Sequence, residues 1–280
     1  MAAVAVLAGL GYFFFTVIEN NSGGEDETAE EPAPERTDAA DGNPKEKVTI
    51  ESLAVTEPAS VDDGAAKCEF TPLPEEQLAA NPGAVDVGTP GDGEKPATGT
   101  QEMVIETDHG TISVELDTEK APCAAANFTY LGGEAFYDDS ICHRLTTENI
   151  FVLQCGNPAA TGEDPQADGA GGPTYSFKNE NEPRDTMKDL SEEEQAEMQS
   201  NPEAEGPEPN YPAGTLALAN SGPDTNGSQF FLVYEDTYLP PDYSIVGKID
   251  EKGLEVIREI AAAGADAPVT EEQQQPMPMG

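Results

Sequence analysis

The sequence predicts a mainly β domain with two helices, set between segments too polar to pack. Three observations predict it. Ile112, Val114 and Leu116 alternate with Ser113 and Glu115 behind the turn residues Asp108-His109-Gly110, the period-two pattern of a β-hairpin. Short apolar runs parted by Gly-rich turns continue to Gly247, with helix-like spacing on either side of them. Finally, the 280 residues carry 13 Lys+Arg against 55 Asp+Glu, a net charge of −42, with 24 Pro, 27 Gly and no Trp, so much of the chain lacks the makings of a core. The same charge excludes whole classes of partner. Nucleic acid is held by clustered Lys and Arg, which are missing, and an anionic lipid surface would repel this chain.

Residues 1–18 are uncharged and long enough to cross a bilayer core as one helix, so they read as a transmembrane anchor or uncleaved signal. Residues 19–66 read as an acidic disordered linker, densest in charge before Lys47. With no basic flank to hold it in the cytoplasm, the bulk of the chain is expected outside, on a single-pass cell-membrane protein. Residues 67–102 hold apolar islands such as Cys68-Glu69-Phe70 among Pro, Gly and Ala, an extension of the domain and not a second one. The main domain spans 103–264. Its first helix runs from near Pro122 to Gly132-Gly133 with Phe128 and Leu131 on one face, and its last helix carries Leu254, Ile257 and Ile260 at three-residue spacing. Residues 182–209 form an acidic surface insertion, and 265–280 a disordered tail.

Cys68, Cys123, Cys142 and Cys155 are even in number, and on the outer side of a membrane they would form two disulfides, with three possible connectivities. Were Cys142 and Cys155 on neighbouring strands they would pair, leaving Cys68 to tether the extension at Cys123. Spacing does not suggest a metal: there is no CxxC pair, His109 and His143 are the two histidines, and the carboxylates show no EF-hand pattern. The chain also lacks GxSxG, HExxH and a P-loop lysine. Gly169-Ala170-Gly171-Gly172 reads as a loop that permits close backbone approach.

What remains concentrated is a set of apolar and amide residues around one arginine. His143-Arg144-Leu145 precedes Phe151-Val152-Leu153-Gln154-Cys155-Gly156, and Gly214 to Asn220 precedes Gly227-Ser228-Gln229-Phe230-Phe231. On composition alone, the plain alternative is that Arg144 pairs with one of the many carboxylates. These runs, followed by Ser244-Ile245-Val246-Gly247-Lys248-Ile249 and in this order, resemble the core signature of the cyclophilins, the peptidyl-prolyl cis/trans isomerases.

The resemblance covers roughly Met103 to Ala263 and implies a closed eight-stranded antiparallel β-barrel capped by two α-helices, acting as a monomer on proline-containing unfolded or exported polypeptides without a cofactor or metal. By motif it gives Arg144 the role of catalytic arginine and Gln154 that of its polar partner. It makes Phe151, Val152, Phe231 and Leu239 proline-pocket residues, and Ala219 and Asn220 the segment that holds the peptide backbone. Tyr243 stands where many members have His, and Tyr238 where many have a Trp that assists binding of the family's cyclic-peptide inhibitor. The loop Thr146–Ile150 is longer than in compact members, which would shift Phe151 relative to Arg144. Phe230 and Phe231 are consecutive on a strand and so face opposite sides, one of them into the core. His143 should likewise point away from Arg144 and serve structure. The competing readings are a non-catalytic proline-peptide-binding module of the same fold and an acidic cation-binding surface protein.

Overall fold

The computed structural model describes residues 41–186 and 209–266. The expected anchor, the linker up to residue 40, most of the acidic insertion and the tail beyond Asp266 lie outside the described residues. Among those described, no helix is long and apolar enough to cross a membrane.

The fold is built on a curled, all-antiparallel sheet of eleven strands. Its order is Ala265–Asp266, Asp41–Pro44, Arg144–Thr146, Val152–Cys155, Phe230–Val233, Thr215–Leu218, Ile245–Ile249, Gly110–Asp117, Thr100–Thr107, Thr49–Val55 and Ser140–Ile141. The expected hairpin is present: Thr100–Thr107 pairs with Gly110–Asp117 in unbroken register across a two-residue turn, where Gly110 takes φ 138°, in the range that favours glycine. Every second residue of each strand is buried, as the alternation requires.

The linker reading of 19–66 is corrected in its second half. Asp41–Pro44 and Thr49–Val55 are strands of the main sheet, and Val48, Ile50 and Leu53 are buried in the core. Charge density concealed them, because Thr49–Val55 needs apolar residues on one face only and leaves Glu51 exposed. This strand pairs with Thr100–Thr107 on one side and, through Thr49 with Ile141 and Ile50 with Ser140, with Ser140–Ile141 on the other. Two residues later the chain enters Arg144–Thr146, near the opposite end of the strand order.

The first long helix, Pro122–Gly133, opens with proline, whose missing N–H would be unpaired there in any case. Ala121 offers no side-chain cap. Glu180 supplies one from 56 residues away in sequence, its carboxylate accepting from Cys123 N (3.1 Å) and Ala124 N (2.9 Å). Burial pushes that carboxyl up to about 6 in spite of the two hydrogen bonds. The helix seats Phe128 and Leu131 on the sheet, and at Gly132 a Cβ would stand 2.9 Å from Leu53 O. The second long helix, Glu251–Ala263, is capped by Asp250, which accepts from Gly253 N, and buries Ile257 and Ile260. The extension adds a short helix, Glu75–Ala80, and strands such as Phe70–Pro72, which pairs with Tyr175–Phe177. Two disulfides form, Cys68 to Cys123 and Cys142 to Cys155.

Candidate active site

Antiparallel pairing fixes the site. Arg144 stands opposite Gln154, Gln154 opposite Phe231, Phe231 opposite Ala217, and Ala217 opposite Ile245, a row across five strands. Directly paired residues project to the same side of a sheet, so the row shares one face. The alternate residues, Leu145, Leu153, Phe230, Leu232, Leu216 and Leu218, enter the main core. Phe230 packs there against Phe128 and Tyr137, while Phe231 belongs to a second apolar cluster.

That cluster comprises Val152, Tyr211, Ala217, Phe231 and Val233, with Ala219, Leu239 and Tyr243 half-buried against it. Five of the residues expected to bind substrate thus meet on one patch: Val152, Phe231 and Leu239 of the expected proline pocket, with Ala219 and Tyr243. Tyr243 sets its ring edge-on to Phe231, centroids 5.4 Å apart, and Tyr211 closes the group at 6.0 Å from Phe231. The buried Tyr211 hydroxyl accepts from Tyr243 N (3.0 Å) and lies within donating distance of Tyr243 O (3.1 Å) and Pro240 O (3.2 Å). Burial holds it protonated far above the usual tyrosine range. Asn210 grips Leu239 in both directions, donating to Leu239 O (2.6 Å) and accepting from Leu239 N (3.1 Å). The wall residues Leu239 and Tyr243, although on a loop, are therefore pinned by Asn210 and Tyr211.

Asn220 donates to Asp242 O (3.0 Å) and accepts from Gly222 N (3.2 Å), which shapes the turn after Ala219. Gln154 donates to Gln229 Oε1 (2.9 Å), and Gln229 in turn donates to Gly171 O (2.7 Å) and Gly169 O (3.0 Å). The glycine-rich loop does allow a close approach: a Cβ on Gly171 would overlap the Asn157 side chain. Arg144 is held by a fork, with Nε donating to Asp41 Oδ1 (3.0 Å) and Nη2 to Asp41 Oδ2 (2.9 Å), its side chain still 41% exposed. The carboxylate pairing weighed as the plain alternative is therefore present. His143 is buried on the other side of the strand, and burial pushes its imidazole down to about 4 despite the pull of the Asp168 carboxylate.

Two expected residues stand apart. Phe151 packs against the main core beside Tyr234, centroids 5.9 Å apart, because Val152 takes the pocket face and its chain neighbour must take the other. Tyr238 is half-buried on its loop but outside the apolar cluster. Sequence reasoning missed Tyr211, Asn210, Gln229 and Asp41. Gln229 lies within the run Gly227-Ser228-Gln229-Phe230-Phe231 and was legible in principle. Asp41 was one acid among many.

A family model described as cyclophilin type peptidyl-prolyl cis-trans isomerase/CLD matches residues 102–279. A probable peptidyl-prolyl cis-trans isomerase B of Mycobacterium leprae is 43% identical over 170 residues, 60% of this chain and 50% of that protein. Its namesake from Mycobacterium tuberculosis is 39% identical over 201 residues, 71% and 57% of the two chains. The chain thus spans about half the length of these curated relatives. Among solved structures, a cyclophilin type peptidyl-prolyl cis-trans isomerase of Cryptosporidium parvum, crystallised in the presence of the dipeptide Ala-Pro, aligns at TM-score 0.40 with 25% identity over 62% of this chain and 90% of that one.

Proposed function

The chain belongs to the cyclophilin-type peptidyl-prolyl cis-trans isomerase family, and from that premise we propose that it catalyses rotation about X-Pro bonds in unfolded or exported polypeptides. The observation that carries this is the row Arg144, Gln154 and Phe231, which sets one cation at the end of a desolvated apolar patch.

Rotation faces a barrier of roughly 18–20 kcal/mol because twisting breaks amide resonance. Neither a nucleophile nor a general base is required. As the bond twists, the imide nitrogen pyramidalises and gains a lone pair, which the Arg144 guanidinium is suited to meet with a hydrogen bond. That interaction exists only once resonance is lost, so it favours the transition state over the ground state. Each tenfold gain in rate asks for about 1.4 kcal/mol, within the reach of one charged donor and a dry pocket. Val152, Phe231, Leu239 and Tyr243 would grip the proline ring. Ala219, Asn220 and Gln154 would hold the flanking peptide, so that one side of the bond turns against a fixed other.

With Asp41–Pro44 and Ala265–Asp266 set outside and Ser140–Thr146 counted as one strand, the remaining eight strands of the sheet are inferred to close into a barrel. What supports closure is the segment Ser140–Thr146, whose start pairs with Thr49–Ile50 and whose end pairs with Val152–Cys155. The domain is proposed to act as a monomer outside the cytoplasm, held at the membrane by residues 1–18. The uncharged run followed by an acidic stretch supports the membrane placement, as do two disulfides of the kind that persist in oxidising compartments.

The test follows exchange of a proline tetrapeptide by protease-coupled assay and by NMR. The wild-type chain is expected to accelerate exchange, and Arg144→Ala to lower kcat/KM by about 10²-fold while retaining its near-UV circular dichroism. A wild-type rate at background, or an unimpaired Arg144→Ala, would sink the reading and leave a binding module.

A further inference from the structure

We propose that Asp41 is a positioning residue for the isomerisation, its carboxylate aiming the Arg144 guanidinium at the turning imide bond; this rests on the isomerase reading above. Asp41 lies outside residues 102–279, the span matched to the family model. The active unit therefore includes a strand that the family match does not cover.

The placement follows from register. Asp41 pairs with Thr146 and Gly42 with Leu145, in an antiparallel ladder. Arg144 stands two residues before Thr146 on the same strand and hence on the same face, diagonal to Asp41, a separation that a long side chain spans. Both carboxylate oxygens are engaged, by Nε and by Nη2. A planar fork bound at two points cannot swing about a single bond, and the guanidinium keeps three of its five N–H donors for a substrate. Gln154, directly opposite Arg144, donates to Gln229, so the fork on Asp41 is what gives the guanidinium its direction.

The strand bearing Asp41 is held independently of the ion pair. Asn43 pairs with Asp266 and Pro44 with Ala265, Lys45 N donates to Gly264 O (3.1 Å), and Asn43 Nδ2 donates to Gly162 O (2.6 Å). Asp41 is thus delivered to Arg144 by backbone pairing. The pair is itself exposed, and pairs of that kind add little to stability. Its consequence lies in direction, which is what a transition-state donor needs.

The experiment uses the full 280-residue chain as wild type and as Asp41→Asn, Asp41→Ala and Asp41→Glu, each also with Arg144→Ala. Asp41→Asn and Asp41→Ala are expected to lower kcat about tenfold with KM almost unmoved, since the pair acts on the donor and not on the pocket. Asp41→Glu should recover part of the loss, and with Arg144→Ala present Asp41→Asn should change nothing further. The Arg144 Nε–H resonance should move in Asp41→Asn while the remaining amide spectrum holds. An unchanged kcat overturns the proposal, and so does a loss that persists without Arg144. A raised kcat also overturns it and makes the carboxylate a brake. Absence of activity in the wild type overturns the isomerase reading instead, with the Nε–H resonance still reporting whether the pair forms.

Discussion

His143 and Arg144 are neighbours in the chain and opposites in surroundings, one sealed against the core side and the other open at the edge of the groove. Burial gives His143 a folded pKa of about 4, below its unfolded value of about 6.5, so the unfolded chain takes up a proton first. Stability from this residue is present above the unfolded value and is lost as pH falls through 6.5 toward 4, on the order of 3 kcal/mol in full. Glu180 works in the other direction. Its folded pKa is raised to about 6 from 4.5, so acidification from 6 to 4.5 relieves a buried charge and adds stability. The Glu180 gain, about 2 kcal/mol in full, offsets only part of the His143 loss, so the pair together still costs stability on acidification. Urea unfolding at pH 7 and pH 4.5 should therefore show His143→Gln gaining on the wild type as pH falls, and Glu180→Gln losing ground over the same interval. Parallel lines for His143→Gln would mean that its ring is not buried uncharged. At this scale the sequence was legible where chemistry is rare: one arginine in an apolar run, one glutamine opposite it. It was illegible where a strand must choose between adjacent apolar residues. Phe151 and Val152 differ in which face they take, and a one-residue shift of register would exchange them.

Among the elements, the strand Thr49–Val55 has the greatest reach. It covers the edge of the hairpin, brings Ile50 and Leu53 into the core and joins Ser140–Ile141. Both long helices and the hairpin could be read from period and caps, because a helix or a hairpin is a local structure. Thr49–Val55 could not, since its partners lie 48 to 92 residues away and three of its seven residues, Thr49, Glu51 and Ser52, are polar or acidic. A chain cut to begin at residue 102 loses Val48, Ile50 and Leu53, each side chain contributing about 1.5–3 kcal/mol. It also loses Cys68, and with it the disulfide to Cys123, a further contribution of about 2–4 kcal/mol. Against a total stability of about 5–15 kcal/mol, that truncation should abolish a cooperative urea transition, whereas a chain beginning at residue 41 keeps it. A sharp transition at the wild-type midpoint for the shorter chain would show that the strand is ornament to the fold.

For the whole molecule, the net charge of −42 and the two disulfides both concern surroundings, and they meet at the site. Cys142 lies two residues before Arg144 and Cys155 one after Gln154, so their disulfide staples together the two strands that carry the proposed donor and its partner. A reducing compartment would remove that staple, which closes a loop of about the length for which cross-linking contributes roughly 3 kcal/mol. The proposed placement outside the cytoplasm keeps it closed, and there the surrounding carboxylates would disfavour acidic clients while Arg144 remains a scarce positive point. Protease added to intact cells should then digest the domain. Thiol labelling of the denatured chain should find no cysteine before reduction and all four afterwards. Reductant should lower the urea midpoint of the purified chain and, because it loosens the strands beneath the donor, should lower kcat before it unfolds the protein. Full protection from the protease together with labelling before reduction would place the domain inside, and the disulfide at the site would then have no standing in its function.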